Sequence, residues 1–508
     1  MSVPFMYTFR PTNPPRKLPA SGSSLRLAKG VAPPLWLTRL EEPMRDRLLF
    51  ALVMLMLGVG SLVGAQEQIP KPDQDEWLRL IRNDRLDLIL PSAMRDHNID
   101  MWIHGTRQGN PDPLEYEFGR TGGFIIFTDV GDHIERAVFG EVFGGQGAIE
   151  NIDVRGSMEI SRALTGYNPG DVDPSVYDEL REYVESHNPE RIGVNYSDWL
   201  AVADGISYTQ FQKLEQILGP ELSSRVVSAE HLITDFRSRR LSLEVAVQAI
   251  TLELARQGAI AQLEGVVPGR TKLRDLRGAS VLYSATAEGK AAPGLPSPTD
   301  SRNYVLQPGD FFSLNYGGKK IFDFGFSSFT VDSKMHAYVL REGETEVPEG
   351  IQRAWDFGKR AQGIMRQHVR VGMTSGQALE EIVAAMEADG YIYTPFTDDG
   401  EQDYQMVRDY LRDGDTPGFY LDLHAQGNND GELMTVGASI APFRRDRDDL
   451  VIHPNHIFAF EYAVHTNLPD RPGYPISINF SNPQIVGPNG VEWIQVPNYG
   501  IYIISGTS

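Results

Sequence analysis

The sequence predicts an α/β domain followed by an α+β domain built from two related αβ halves. Three observations predict it. From Trp77 to about Leu241 helix-like segments alternate with short apolar runs, the pattern of helices laid over a sheet. After Arg240 the pattern changes to a long helix in which Leu243, Val247, Ile250 and Leu254 recur at spacings of 4, 3 and 4, one buried face. Then VVPGRTKLRDL (Val266 to Leu276) is echoed by VRVGMTSGQAL (Val369 to Leu379). Gly269, Thr271 and Leu276 match Gly372, Thr374 and Leu379, as a duplicated half-domain would.

The chain has 508 residues, enough for two or three domains, and is 41% hydrophobic. Its 47 basic and 68 acidic residues leave a net charge of −21, which argues against a nucleic-acid partner. Leu48 to Ala65 is apolar and uncharged, follows Arg45 and Arg47, and ends in Val63-Gly64-Ala65. That order reads as a cleaved secretory signal peptide over residues 44–65. Residues 1–43, rich in Pro, Ser and Arg, are expected to be untranslated or disordered, with the true start at Met44. With no cysteine there is no disulfide and no thiol for lipid attachment. The mature chain is therefore expected to be free of the membrane, in a periplasmic or extracellular space.

In the first domain, residues 75–240, a helical stretch around Leu78 to Met94 precedes the strand-like runs Ile99 to Ile103, Gly123 to Phe127 and Arg191 to Asn195. Here His97, His104 and His133 read as surface or core histidines. The second domain spans residues 241–508. In it Thr374 and Gln377 form a capping box that opens a helix through Ile382, Val383 and Met386, stopped by Gly390. GDFFSLNYGGKKIFDFGFSSFTVD (Gly309 to Asp332) reads as a β-hairpin turning at Gly317 to Lys320, with Asn315, Asp323 and Asp332 set among its strand residues. Pro395 to Gly418 is a long acidic insertion, a lid or partner surface or, more plainly, a solvated loop.

RIGVNYSDWLAVADGIS (Arg191 to Ser207) with SAEHLITDFRSRR (Ser228 to Arg240) resembles the amino-terminal domain of the creatinase and Xaa-Pro aminopeptidase family. The resemblance covers roughly residues 75–505. It implies a creatinase-like N-terminal domain that covers the active site and builds oligomers, with a homodimer expected. It further implies a C-terminal pita-bread domain whose pseudo-twofold halves curve around the site, and a hydrolase of peptides or small amides.

The resemblance also implies a metallopeptidase site: two divalent cations, manganese or similar, held by two Asp, one His and two Glu. Such ions activate a bridging water and polarise the carbonyl. Asp332 in VDSKMHAYVL takes the place of the second Asp, Glu461 in HPNHIFAFEYAV that of the fourth ligand, and Glu492 in GVEWIQV that of the last. The first Asp falls on Asn315, or, if the strand slips, on Asp323. The two Asp would then share a face only through a bulge or a different turn. In LHAQGNNDGEL the ligand histidine falls on Asn428 or Asn429, and His424 matches a histidine that assists catalysis. The run Ser284 to Asp310 holds no histidine, where relatives place one.

Three readings follow. A working two-metal aminopeptidase or prolidase would use Asp323 and His424 as replacement ligands. A metal-independent amidohydrolase would have His424, Glu461 and His465 as its polar core. A pseudoenzyme, a binding protein, would keep the fold and lose the chemistry. The altered positions favour loss or change of the metal chemistry. In the binding protein, acids converging without a cation would repel, so Glu461→Ala is expected to leave the fold intact or stabilise it.

Overall fold

The computed structural model describes residues 74–106, 114–118, 121–142, 149–155, 177–284, 301–317, 332–395, 400–411, 416–426, 436–495 and 500–505, all within one compact unit, Pro70–Ser508. The segments read as a leader and signal peptide, and the candidates Asp323, Asn428 and Asn429, lie outside the described residues. Among the described residues no helix is long and apolar enough to cross a membrane.

The chain is mixed α/β, with three sheets among the described residues. The first has the order β4-β3-β2-β1-β5-β6, formed by β1 (Met101–Thr106), β2 (Thr121–Asp129), β3 (Ile134–Val142), β4 (Asp153–Arg155), β5 (Ile192–Val194) and β6 (Val226–Ser228). Strand alternation splits its side chains between two cores. Trp102, Ile125, Phe127 and Val138 face helices α1 (Gln74–Asp84), α2 (Leu90–Asp96) and α5 (Glu230–Ser238). Met101, Ile103, Phe124 and Ile126 face α3 (Asp178–His187) and α4 (Tyr208–Ser223). Helices on both faces are what the alternating sequence pattern required.

The long helix α6 (Ser242–Glu264) forms as expected, but its buried stripe is displaced. Val247 is buried, whereas Leu243, Ile250 and Leu254 are only half-buried. The stripe runs instead through Glu244, Val247, Thr251, Leu252, Ala255, Ala259 and Leu263. The reason is electrostatic. Glu244 accepts hydrogen bonds from Arg85 at 3.0 Å and from the Leu241 amide at 2.9 Å, so a carboxylate is pulled inward where apolar periodicity would put a leucine.

A second buried carboxylate, Asp235 on α5, ties this helix to the loop that precedes β12 (His456–Leu468). It receives His97 at 3.0 Å, His453 at 3.1 Å and Arg239 at 2.9 Å. Burial would raise its pKa, but these partners pull it far below the carboxylate range. Asp96, Asp235 and His453 are spaced as metal ligands would be, yet the cation among them is the Arg239 guanidinium, which bonds both carboxylates. Asp235→Ala removes the shared partner of three donors and is expected to cost about 3–5 kcal/mol in a urea titration.

The sequence echo is structural. Gly269 (φ 76°) and Gly372 (φ 88°) both take a positive φ, which glycine adopts freely. The Gly269 amide donates to Leu306 O at 2.7 Å and the Gly372 amide to Ile452 O at 2.9 Å. Beyond this the copies diverge. The first leads only into the turn Leu273–Asp275, while the second opens α8 (Ser375–Ala388) through the expected reciprocal Thr374–Gln377 capping box.

The remaining strands are β7 (Ala279–Tyr283), β8 (Phe311–Gly317), β9 (Asp332–Val339), β10 (Ile392–Tyr393), β11 (Gly418–Ala425), β13 (Arg471–Phe480), β14 (Pro483–Gly487), β15 (Gly490–Trp493) and β16 (Tyr502–Ile504). They form a four-stranded sheet β16-β9-β8-β7 and a six-stranded sheet β10-β11-β12-β14-β15, with β13 also on β12. The antiparallel partner of β8 begins at Asp332, opposite Gly317, so the expected strand turning directly at Gly317 to Lys320 is replaced by a pairing across residues 318–331. The Lys334 amide donates to Ser481 O at 2.8 Å and joins the two sheets. Helix α7 (Glu349–Gln367) and α8 pack on one face of the six-stranded sheet over Phe458, Phe460, Tyr462, Val464, Ile476, Ile478 and Phe480. The insertion expected as a loop holds a helix, α9 (Gly400–Tyr410), fixed by buried Val407 and Leu411.

Candidate functional site

Period-two alternation assigns the opposite face of the same sheet. Because the even-numbered residues of β12 and β13 enter the helix-covered core, the odd-numbered Ala459, Glu461, Ala463 and His465, with Ser477 and Asn479, face away from it. The register sets Asp422 opposite Glu461, and His424 opposite Ala459. On β9 the odd residues Met335, Ala337 and Val339 pack in the core with α6, leaving Asp332 and Lys334 on the other side. The seam at Ser481 brings these two sets together.

The result is a compact ionic network. Lys334 Nζ lies 2.6 Å from Glu461 Oε1 and 3.7 Å from Asp332 Oδ2. His424 Nε2 lies 3.4 Å from Glu461 Oε2 and 3.9 Å from Asp332 Oδ2, the first a weak contact and the second an ion pair without a hydrogen bond. Asn479 Nδ2 donates to Glu461 Oε1 at 3.0 Å, and Ser481 Oγ to Asp332 Oδ2 at 3.1 Å. Beside them Arg444 holds Asp422 at 2.9 and 3.2 Å. Three carboxylates thus face three basic groups.

Burial opposes the charges of His424, Glu461 and Lys334, and pairing overcomes it. Burial alone would lower the His424 pKa, but its contacts with Asp332 and Glu461 raise it to about 10. The Glu461 carboxyl, desolvated yet beside Lys334 and His424, is held well below the usual carboxylate range. Lys334 is likewise desolvated and is raised by Glu461 and Asp332. His336, on the same face of β9, is pushed down to about 4 by burial and stays neutral. A histidine with a raised pKa stabilises the fold fully below its ordinary value near 6.5, and that contribution is lost as pH rises towards about 10. Denaturation midpoints should therefore fall between pH 7 and pH 10, and His424→Gln should flatten that slope.

Asp332, His424 and Glu461 are the described residues near the seam able to hold a divalent ion, since their ligating atoms lie within 4.8 Å of one another. The surroundings do not fit one. Lys334, with its side chain only 10% exposed, places an ammonium on the Glu461 oxygen an ion would use. His424 does not decide the point: Nδ1 on Ala425 O at 3.1 Å with Nε2 towards two carboxylates suits a protonated or a metal-bound imidazole, so the misfit rests on Lys334. A metal needs an imidazole lone pair and free carboxylate oxygens.

Of the residues singled out in the sequence, the structure brings together Asp332, His424 and Glu461. Asn315 is exposed on β8, directly across from Lys334. Glu492 is not brought to the group. The register Ile457, Ile485, Glu492 carries it two strands away, beside a residue four before Glu461, roughly 15 Å off. There it is exposed, while its neighbours Val491 and Trp493 turn towards α7. His465 shares the face of Glu461 but not its contacts. It is 2% exposed, lies against Tyr420 at 5.4 Å, and is pushed down to about 3 by burial. Sequence reasoning missed Lys334, Asn479 and Ser481. The signal for Lys334 was present: a basic residue two positions after Asp332 on a strand otherwise filled by Met335, Ala337 and Val339.

No family model matches the chain, and no curated protein matches it. Solved structures similar to it include Xaa-Pro aminopeptidases and prolidases, proteins of the pita-bread fold. They include an X-Pro aminopeptidase from Thermotoga maritima MSB8 (13% identity, TM-score 0.47, covering 81% of this chain and 100% of that chain). An Xaa-Pro dipeptidase from Bacillus anthracis is similar at 15% identity and a TM-score of 0.45, covering 84% of this chain and 100% of that one. A prolidase from Pyrococcus furiosus is similar at 13% identity and a TM-score of 0.43, covering 80% and 99%.

Proposed function

We propose that this chain is an exported Xaa-Pro-aminopeptidase-like protein in which two-metal peptide hydrolysis has been lost, and that its site binds a peptide or small amide without cleaving it. The observation that carries this reading is the Lys334 ammonium, 2.6 Å from Glu461 among the residues that resemble metal ligands. A fixed monovalent cation neutralises the carboxylates. Unlike a divalent ion, it offers no vacant coordination position at which water is activated. The alternative of metal-independent hydrolysis through His424 requires a histidine able to accept a proton. That imidazole faces two carboxylates, which raise its pKa and favour the protonated form. The two-domain creatinase-like arrangement, the homodimer and the periplasmic or secreted location belong to the same proposal.

The test is hydrolysis of Xaa-Pro dipeptides by purified Gln66 to Ser508, with added manganese and separately with chelator. The expected outcome is no turnover above the buffer rate in either condition. Manganese-stimulated, chelator-sensitive release of proline would overturn the proposal.

A further inference from the structure

The face that carries Glu461 continues beyond the ionic network as a second row that holds several buried polar atoms. On β12 the next inward positions are Ala463 and His465, and across from them on β13 stand Asn479 and Ser477. His465 is 2% exposed and Ser477 3% exposed. Both ring nitrogens of His465, Ser477 Oγ and Asn479 Oδ1 are buried and find no hydrogen-bond partner among the described residues. Asn479 cannot turn its oxygen elsewhere at no cost, because its Nδ2 is committed to Glu461. Buried polar groups in native proteins are almost always paired, and a cluster of orphans on one sheet face calls for a missing partner. The opposite face of the same strands shows what this sequence does when it builds a core: Tyr462, Val464, Ile476, Ile478 and Phe480 fill it.

We infer that His465, Ser477 and Asn479 line a subsite that receives a neutral amide group of the bound ligand. This rests on the proposed binding function and names the chemistry its site takes. Neutrality follows from charge accounting. Asp332, Glu461 and Asp422 are already matched by Lys334, His424 and Arg444, so an incoming carboxylate or ammonium finds no opposite charge left unpaired in the network. The row itself carries no charge, since His465 finds no partner among the described residues to support an imidazolium at this burial. A neutral imidazole offers one donor and one acceptor, a hydroxyl offers both, and Asn479 Oδ1 accepts. An amide presents the complementary pair, an N–H and a C=O, in one plane. Ala463 between Glu461 and His465 keeps side-chain bulk off the strand at the middle of the row.

The experiment is titration of the full mature chain with two probes, N-acetyl-alanyl-alanine amide and zwitterionic alanyl-alanine, followed by histidine NMR and calorimetry. The expected result is saturable binding of the capped amide, perturbing the His465 ring resonances, with at least about tenfold weaker binding of the zwitterion. Ser477→Ala and His465→Phe should each weaken the capped probe about tenfold, the loss of one buried hydrogen bond. Ser477→Ala removes only a hydroxyl and guards against misfolding of the histidine variant. Equal affinity for the two probes, no binding, or affinity unchanged in both variants would overturn the inference. Cleavage of either probe, or binding that needs manganese, would instead overturn the proposed function.

Discussion

A Lys334→Met variant is expected to lose about 3–5 kcal/mol of folding stability at neutral pH, the cost of removing one partner from a buried ion pair. Lys334 is the group that lets Asp332 and Glu461 enter the seam between the two sheets, at 3.7 and 2.6 Å from its ammonium. Methionine fills a similar volume, so the loss is electrostatic rather than a cavity. Pairing it with Glu461→Leu should recover much of the difference, because an apolar pair leaves no charge stranded. Lys334→Ala carries a second expectation. With the ammonium gone, the remaining Asp332, His424 and Glu461 regain a need for a cation, and manganese or zinc should raise the melting temperature of this variant. The same ions should leave the parent chain unmoved. Thermal melts with and without metal check both statements.

Glu461→Ala is expected to destabilise by a comparable amount, about 3–5 kcal/mol. Sequence reasoning alone points the other way, since converging acids repel and removing one relieves them. The structure reverses the sign because Glu461 is the common acceptor of Lys334, His424 and Asn479. Deleting it leaves an ammonium and an imidazolium sharing Asp332. Glu461→Gln keeps the shape and loses only the charge, so it should fall between the two in a chemical denaturation series. A stabilised Glu461→Ala would show that the acids, not the cations, are in excess.

Local features were legible in the sequence because they are decided within a few residues. The Thr374–Gln377 capping box and the strands at Met101 and Ile192 follow from turn chemistry and short periodicity, and the echo of Gly269 in Gly372 from direct comparison. The buried stripe of α6 was misplaced because apolar spacing cannot foresee that Arg85, 159 residues before Glu244, will pull it inward. The site was half legible for a related reason. Asp332, His424 and Glu461 sit in strings similar to a known family, and the fold does gather them. Lys334 was overlooked although only two residues from Asp332, because lysine on a strand is ordinarily read as solvent-facing. Its partner is 127 residues away, across a seam between sheets. Glu492 illustrates the converse: its surrounding string suggested a ligand, but register carries it to an exposed edge.

The most direct test of the account is metal content by elemental analysis of Gln66 to Ser508, dialysed against chelator and then offered manganese or zinc. If Lys334 is the resident cation of this site, the parent chain retains no stoichiometric metal, and Lys334→Ala takes up an ion. Two tightly held ions per parent chain would contradict the account, since Glu461 cannot serve both an ammonium at 2.6 Å and a metal pair.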